Sequence, residues 1–78
     1  MQITVYSKPA CQPCKLTKRH LERRGLDYTE RDAREHVDLL TSLGFRASPV
    51  VLVVDDNGET QSWSGFCPRL IDEVADNA

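Results

Sequence analysis

Five consecutive apolar residues, Val50–Val54, constrain the fold more than any other segment of the chain. A half-exposed strand alternates apolar and polar side chains, whereas a strand covered on both faces is apolar at every position. The run therefore predicts a strand at the centre of a sheet, with other layers above and below it. It is also far shorter than the roughly 20 residues of a membrane-spanning helix, so we expect no membrane span.

The chain length limits the number of domains. Seventy-eight residues can surround one hydrophobic core but not two, so we expect a single domain over residues 1–78. The apolar fraction of 40% and the charged fraction of 28% are those of an ordinary globular protein. The formal net charge of -2, without a basic stripe, argues against nucleic acid as a partner.

The cysteines and the first residues indicate the cellular compartment. Three cysteines, two of them separated by only two residues, do not suit the disulfide framework of a small secreted protein. The first six residues alternate like a strand and lack the basic and apolar regions of a secretory signal. We therefore expect the protein in the reducing cytoplasm.

Strand and helix patterns alternate along the rest of the chain. β-Branched and aromatic residues predict strands over residues 3–7, 26–31 and 60–64. Helix formers, caps and stops predict helices over residues 13–24 and 33–43, and a third that begins at Pro68. In this third helix the residues expected to face the sheet are Leu70, Ile71, Val74 and Ala75.

The second predicted helix has a recognisable apolar face. Asp32 can cap its first turn, and Gly44 is a natural terminator. Because Val37, Leu40 and Leu43 are three residues apart, we expect them to share the face that covers the sheet.

A turn sequence sets the direction of the last strand. Residues 55–58, with the sequence Asp-Asp-Asn-Gly, are typical of a tight hairpin, so the strand after them should run antiparallel to Val50–Val54. Helices between the earlier strands imply right-handed crossovers. The predicted order is β-α-β-α-β-β-α, an α/β fold with a four-stranded mixed sheet flanked by three helices.

A cysteine pair, Cys11 and Cys14, lies between the first strand and the first helix. In this position the unpaired N–H groups and the positive end of the helix dipole favour a thiolate, which we assign to Cys11. Cys14 is one turn into the helix and should be more buried, as a resolving thiol would be. Pro13 suits the first helical turn, where its missing N–H costs nothing. The arrangement predicts thiol-disulfide exchange.

Two alternatives to redox chemistry apply to the same pair. The cysteines could be buried structural residues, or they could be half of a zinc site. A tetrahedral zinc site needs two more ligands, and the remaining candidates, Cys67, His20 and His36, do not form a second closely spaced ligand pair. We therefore expect no metal site.

Three segments resemble the NrdH-redoxins, glutaredoxin-sized members of the thioredoxin superfamily. They are residues 5–11 with Cys14, residues 47–51, and the Trp-Ser-Gly-Phe sequence of residues 63–66 followed by Pro68. The resemblance extends over nearly the whole chain. Glutaredoxins usually carry a Cys-Pro-Tyr-Cys active site and a Gly-Gly followed by acidic residues before the last helix, where glutathione is held. Neither pattern occurs here.

The resemblance implies a thioredoxin fold and a thioredoxin-like electron carrier. Electrons would come from NADPH through a flavin-containing thioredoxin reductase and would go to a class Ib ribonucleotide reductase, with no cofactor bound to the carrier itself. We expect a monomer. The alternatives are a glutaredoxin reduced by glutathione and, less favoured, a metal or iron-sulfur carrier that uses the same cysteines.

The resemblance also implies two sets of site residues. A cis Pro49 would lie against the cysteine pair, and the groove for the substrate backbone would comprise Gln12, Pro13, Ser48 and Pro49. A surface patch for the reductase would comprise Trp63, Ser64, Gly65 and Phe66. Without the resemblance, both aromatic residues of that patch could equally be core residues.

Two further residues have open roles. Cys67 departs from the family, which usually places a charged residue such as arginine there, and it is either a third redox-sensitive thiol or an incidental one. Lys8 either stabilises the thiolate or is a solvated surface lysine.

Overall fold

The computed structural model describes all 78 residues, Met1–Ala78, and has the predicted order of elements. The strands are β1 (Gln2–Ser7), β2 (Thr29–Asp32), β3 (Val50–Val54) and β4 (Thr60–Ser64). The helices are α1 (Gln12–Arg23), α2 (Val37–Ser42) and α3 (Pro68–Asp76), with a 3-10 turn, Ala33–Glu35, before α2. The strand order is β2-β1-β3-β4, with β1 and β2 parallel and the other two pairs antiparallel. The α/β prediction of a mixed four-stranded sheet with three helices is confirmed.

Strand β3 is an inner strand of the sheet and contributes to a hydrophobic cluster on each face. Val51 and Val53 belong to the larger cluster, which includes residues of β1, β4, α1 and α3. Val50 belongs to the smaller cluster, which includes Leu40 of α2, and Leu52 packs against it. The apolar run therefore has the two-sided burial that its sequence predicts.

Strand β2 is shorter than predicted and begins at Thr29 rather than at residue 26. The reason is the end of α1: Gly25 adopts a φ of 70°, and the Leu26 N–H donates to the Leu21 carbonyl at 2.9 Å. The backbone of Leu26 thus completes the helix terminus instead of pairing with β1, while its side chain packs against the larger cluster.

The second helical segment is interrupted, contrary to the prediction of one helix over residues 33–43. His36, with φ -129° and ψ 31°, separates the 3-10 turn from α2. Because α2 has six residues, fewer than two turns, only Leu40 is buried under the sheet. Val37 is 57% exposed and Leu43 39% exposed, so the prediction of a shared three-residue buried face is wrong.

Asp32 caps the segment as predicted, since its carboxylate accepts a hydrogen bond from the Arg34 N–H at 2.9 Å. The Arg34 guanidinium, followed by this backbone bond, lowers the pKa of Asp32 to about 2. A carboxylate whose pKa is lowered by folding stabilises the folded state above its unfolded pKa of 3.8 and loses that contribution as the pH falls toward 2.

We therefore expect Asp32→Asn, which keeps a capping oxygen but removes the charge, to lower the melting temperature at pH 7. The difference between this variant and the parent protein should shrink between pH 4 and pH 2 in thermal unfolding followed by circular dichroism, because both the unfolded and the folded pKa values lie in that range. A difference that is the same at pH 7 and pH 2 would show that the charge of Asp32 does not stabilise the fold.

The hairpin and the last helix form as predicted. The Asp55 carboxylate accepts hydrogen bonds from the backbone N–H groups of Asn57 and Glu59, both at 2.9 Å, and β4 returns antiparallel to β3. Helix α3 begins at Pro68 and buries Ile71 and Val74. The hairpin follows Val54 and therefore lies at the end of β3 opposite Val50.

Candidate active site beside strand β1

The cysteine pair lies where β1 has ended and α1 begins. Ala10, with a φ of 56°, turns the chain, and Cys11 then precedes the first helical residue. Cys11 and Cys14 are joined by a disulfide with their Cα atoms 5.3 Å apart. Cys14 is 2% exposed and Cys11 6% exposed, which agrees with the prediction that Cys14 is the more buried.

The start of α1 directs hydrogen-bond donors at Cys11. The backbone N–H of Cys14 donates to Cys11 Sγ at 3.2 Å, so this sulfur occupies the N-cap position of the helix. When the disulfide is reduced, the same donor and the helix dipole would stabilise a thiolate at Cys11 more than a thiol.

A proline loop, residues 47–49, lies against the disulfide. The Ser48–Pro49 peptide bond is cis, as the family resemblance implied, and Pro49 is buried. Cys11 Sγ is 3.8 Å from the Ser48 carbonyl oxygen. Gln12 and Pro13 are exposed on the helix side of the pair. The four residues of the predicted substrate groove thus comprise two on each side of Cys11, and their role in binding stays a prediction.

The turn after β4 is tied to the proline loop. Gly65 N–H donates to the Pro49 carbonyl at 2.8 Å, and Ser64 Oγ donates to the Ala47 carbonyl at 2.8 Å. This connection places Ser64 and Gly65 beside the loop that contacts Cys11.

Trp63 does not lie in the surface patch that the resemblance implied. It is only 7% exposed and belongs to the larger hydrophobic cluster, because its position on β4 pairs with Val51, whose side chain faces that cluster. Phe66 is 36% exposed, and its ring lies edge-on to His20 at a centroid distance of 6.0 Å. The core interpretation is therefore correct for Trp63, while a recognition role for Ser64, Gly65 and Phe66 stays a prediction.

Thr17 is a buried residue of α1, on the same helix face as Cys14, that the sequence analysis missed. It is 0% exposed, and its Oγ1 donates to the Pro13 carbonyl at 2.9 Å. The buried face of α1 consists of Cys14, Thr17 and Leu21, which are spaced three and four residues apart. Counting threonine as a core residue would have revealed this stripe.

A second missed feature is a polar network beside the disulfide. The Ser7 hydroxyl donates to Glu30 Oε2 at 2.5 Å, and Lys18 Nζ donates to the same oxygen at 2.8 Å. Lys18, and then Ser7, lower the pKa of Glu30, so its carboxylate is ionised at neutral pH. The three residues come from β1, β2 and α1, and no local pattern in the sequence links them.

The remaining titratable residues do not assemble a metal site. No group of three or more His, Cys, Asp or Glu side chains is placed to hold a metal ion. His20 contacts Asp72 at 2.8 Å and His36 packs edge-on against Tyr6. None of the helices has the length and apolarity needed to cross a membrane.

Cys67 is a free, half-buried thiol that packs against the larger hydrophobic cluster at the start of α3. Since packing accounts for its position, we expect Cys67→Ser to leave disulfide reduction and the monomer content of the oxidised protein unchanged. Turnover assays and non-reducing gels test this. Loss of turnover, or loss of an oxidised dimer that the parent protein forms, would assign Cys67 a redox role.

Residues 3–60 match the family model described as Glutaredoxin. The chain is 38% identical over 77 residues to the glutaredoxin-like protein NrdH of Escherichia coli K12, covering 95% of this chain and 89% of that protein. It is 33% identical over 76 residues to NrdH of Lactococcus lactis subsp. cremoris, covering 94% and 99%. Among solved structures it resembles the NrdH-redoxin of Escherichia coli, a glutaredoxin-like protein described as having a thioredoxin-like activity profile. That match has a TM-score of 0.80 and covers 95% of both chains at 38% identity.

Proposed function

Because the chain belongs to the glutaredoxin family, within its NrdH-redoxin branch, we propose that it carries electrons from a thioredoxin reductase to a class Ib ribonucleotide reductase. Its general activity as a thiol-disulfide oxidoreductase of thioredoxin fold follows from the family and the redox-active cysteine pair. The observation that carries the redox part of the proposal is Cys11 at the N-cap of α1, with the Cys14 N–H directed at its sulfur at 3.2 Å. The similarity to NrdH proteins supports the choice of partners.

Two exchange steps move one electron pair. The Cys11 thiolate attacks a substrate disulfide, so that a Cys11–substrate disulfide forms and the other substrate sulfur leaves as a thiolate that takes up a proton. Cys14 then loses its proton and attacks Cys11 Sγ, which forms the Cys11–Cys14 disulfide and releases the second substrate thiol. The substrate disulfide is reduced to two thiols and the carrier is oxidised.

A reductase dithiol restores the carrier by the reverse exchange. In this proposal NADPH supplies the electrons through the flavin of the reductase, and the carrier needs no cofactor of its own. The reductase would contact Ser64, Gly65 and Phe66, of which Phe66 is the most exposed. The substrate backbone would lie between the proline loop and the start of α1. We place the carrier in the cytoplasm as a monomer.

Glutathione is the alternative reductant, and the start of α3 disfavours it. Glutaredoxins usually hold glutathione with acidic residues that precede their last helix. Here Gly65 is followed by Phe66, Cys67 and Pro68, and the first turn of α3 has no acidic residue. An iron-sulfur carrier is less favoured, since no group of three or more His, Cys, Asp or Glu side chains is placed to hold a metal ion within one chain.

Delivery to ribonucleotide reductase can be tested by reconstitution. With class Ib ribonucleotide reductase, NADPH and thioredoxin reductase, we expect deoxyribonucleotide formation that depends on the amount of this protein. Cys14→Ser, which cannot complete the cycle, should give none. If the parent protein reduces a model disulfide in the same mixture but forms no deoxyribonucleotide, the proposed acceptor is wrong and the oxidoreductase activity stands.

A further inference from the structure

An open cavity of about 410 Å³ lies beside the cysteine pair. Both cysteines line it, together with the end of β1, the loop before α1, the first turns of α1 and strand β2. It lies on the β2 side of the disulfide and shares no residue of the proline loop or of the turn after β4. The geometry therefore provides a second surface next to the reacting sulfurs, distinct from the predicted substrate groove.

Cations outnumber anions in this cavity. The cations are Lys8, Lys15, Lys18 and Arg31, and the carboxylates are Glu30 and Asp32. This excess contrasts with the whole chain, whose formal net charge is -2. The cavity is thus a positively charged site on a slightly negative protein, next to the reacting sulfurs.

The two carboxylates of the cavity already have partners. Glu30 accepts hydrogen bonds from Lys18 and from the Ser7 hydroxyl. Asp32 pairs with Arg34, which lies outside the cavity lining, at 2.7 Å. Neither carboxylate is therefore available to neutralise the remaining cations.

Three of the four cations in the cavity take part in no ion pair. Lys8, Lys15 and Arg31 are exposed and take part in no salt bridge. Lys8 lies in the loop that leads to Cys11, Lys15 directly follows Cys14, and Arg31 lies on the adjoining edge strand. Lys8 and Lys15 flank the disulfide in the sequence and can be reached by one bound segment, whereas Arg31 pairs with Tyr6, whose side chain belongs to the smaller cluster on the other face of the sheet.

We propose that this cavity binds an acidic segment of the protein substrate, with carboxylates that flank the target cysteines seated on Lys8 and Lys15. This specificity rests on the proposed function, since the segment is brought in by the disulfide under attack. The substrate sulfur that bonds to Cys11 lies next to the cavity, because Cys11 lines it, so residues flanking that sulfur can reach the cavity. Opposite charges there would speed encounter and favour the bound register.

Three disulfide-bonded peptides of equal length, with glutamate, glutamine or lysine beside the cysteines, test the proposal. We expect kcat/KM for the glutamate peptide to exceed that for the glutamine peptide by about threefold to tenfold at low salt, as a few exposed ion pairs would give. The lysine peptide should be the slowest. The advantage of glutamate should shrink in high salt, because exposed charges are screened.

Variants assign the preference to the cavity. Lys8→Gln and Lys15→Gln should each reduce the glutamate-to-glutamine ratio of kcat/KM, and the double variant should bring it close to one. The matched control is Arg23→Gln, because Arg23 is an exposed cation on the same helix as Lys15 and does not line the cavity. It should retain the ratio of the parent protein.

Four outcomes would overturn the inference or what it rests on. Equal rates for the three peptides mean that the cavity does not select charge, although the oxidoreductase activity stands. A glutamate preference that survives in the double variant places the acidic site elsewhere. If the double variant slows reduction of glutathione disulfide but not of the glutamate peptide, the cavity binds a small thiol rather than a protein segment. Failure to reduce any peptide contradicts the proposed function itself.

Discussion

Replacing Cys11 with serine should abolish disulfide reduction, while replacing Cys14 with serine should stop the protein at a mixed disulfide with its substrate. A serine hydroxyl is not ionised at neutral pH and cannot form a disulfide, so Cys11→Ser should lower turnover by at least about 10³-fold, as for other lost nucleophiles. Cys14→Ser retains Cys11 with its helix-terminus position and should therefore still attack once.

Mass spectrometry under non-reducing conditions separates these outcomes. Cys14→Ser incubated with an oxidised peptide should gain the mass of one half of that peptide, and a reductant should remove it. Cys11→Ser should gain no such mass. Cys67→Ser is the control for cysteine loss as such. If the adduct forms on Cys11→Ser instead, the assignment of nucleophile and resolving thiol is reversed; if neither variant loses activity, the mechanism is wrong.

Ile71→Ala should destabilise the fold more than the truncation of an exposed aliphatic side chain of similar size. Ile71 is 0% exposed and lies in the larger cluster, where α3 packs near Leu21 of α1 and the sheet. Removing a fully buried aliphatic side chain costs about 2–5 kcal/mol through lost transfer free energy and the cavity left behind. Since a domain is typically stable by only about 5–15 kcal/mol, the variant would lose a large part of its free energy of unfolding.

Urea unfolding followed by circular dichroism gives this free energy for each variant. Leu43→Ala is the matched control, because Leu43 is also aliphatic but is 39% exposed at the end of α2. We expect it to cost less than about 1 kcal/mol. Equal losses for the two variants would mean that the cluster around Ile71 is not the main source of stability.

The elements that sequence predicts well are those with strong local signals. Val50–Val54 is apolar throughout, and its two-sided burial follows from that pattern alone. The Asn57-Gly58 turn and Pro68 fix where the hairpin and α3 form, because backbone conformation there depends on the residue type itself. The position of the cysteine pair, between a strand and a helix, likewise depends only on neighbouring residues.

The features that the sequence analysis did not predict depend on tertiary contacts. Nothing local marks the break at His36, and a helix of fewer than two turns cannot bury three residues that a longer one would align. Leu26 ends α1 rather than starting β2 because its N–H pairs across the turn. The network of Ser7, Lys18 and Glu30 joins residues from three elements and requires the register of β1 against β2.

The site residues also divide into those that were predicted correctly and those that were not. The cis peptide bond before Pro49 followed from family resemblance and not from composition, since most X–Pro bonds in folded proteins are trans. The resemblance was misleading for Trp63, whose side of β4 is set by its pairing with Val51. Alternation along β4 places Trp63 inside, whereas Phe66 lies beyond the strand and is free to reach the surface.

We propose that a thioredoxin reductase, and not glutathione, reduces the Cys11–Cys14 disulfide. The most direct measurement is NADPH consumption with a model disulfide, run in parallel with thioredoxin reductase and with glutathione plus glutathione reductase. We predict turnover with thioredoxin reductase, none with glutathione above the reaction lacking this protein, and no turnover by Cys11→Ser in either system. Turnover with glutathione alone would contradict the claim and would make the protein a glutathione-dependent glutaredoxin without the usual acidic residues before its last helix.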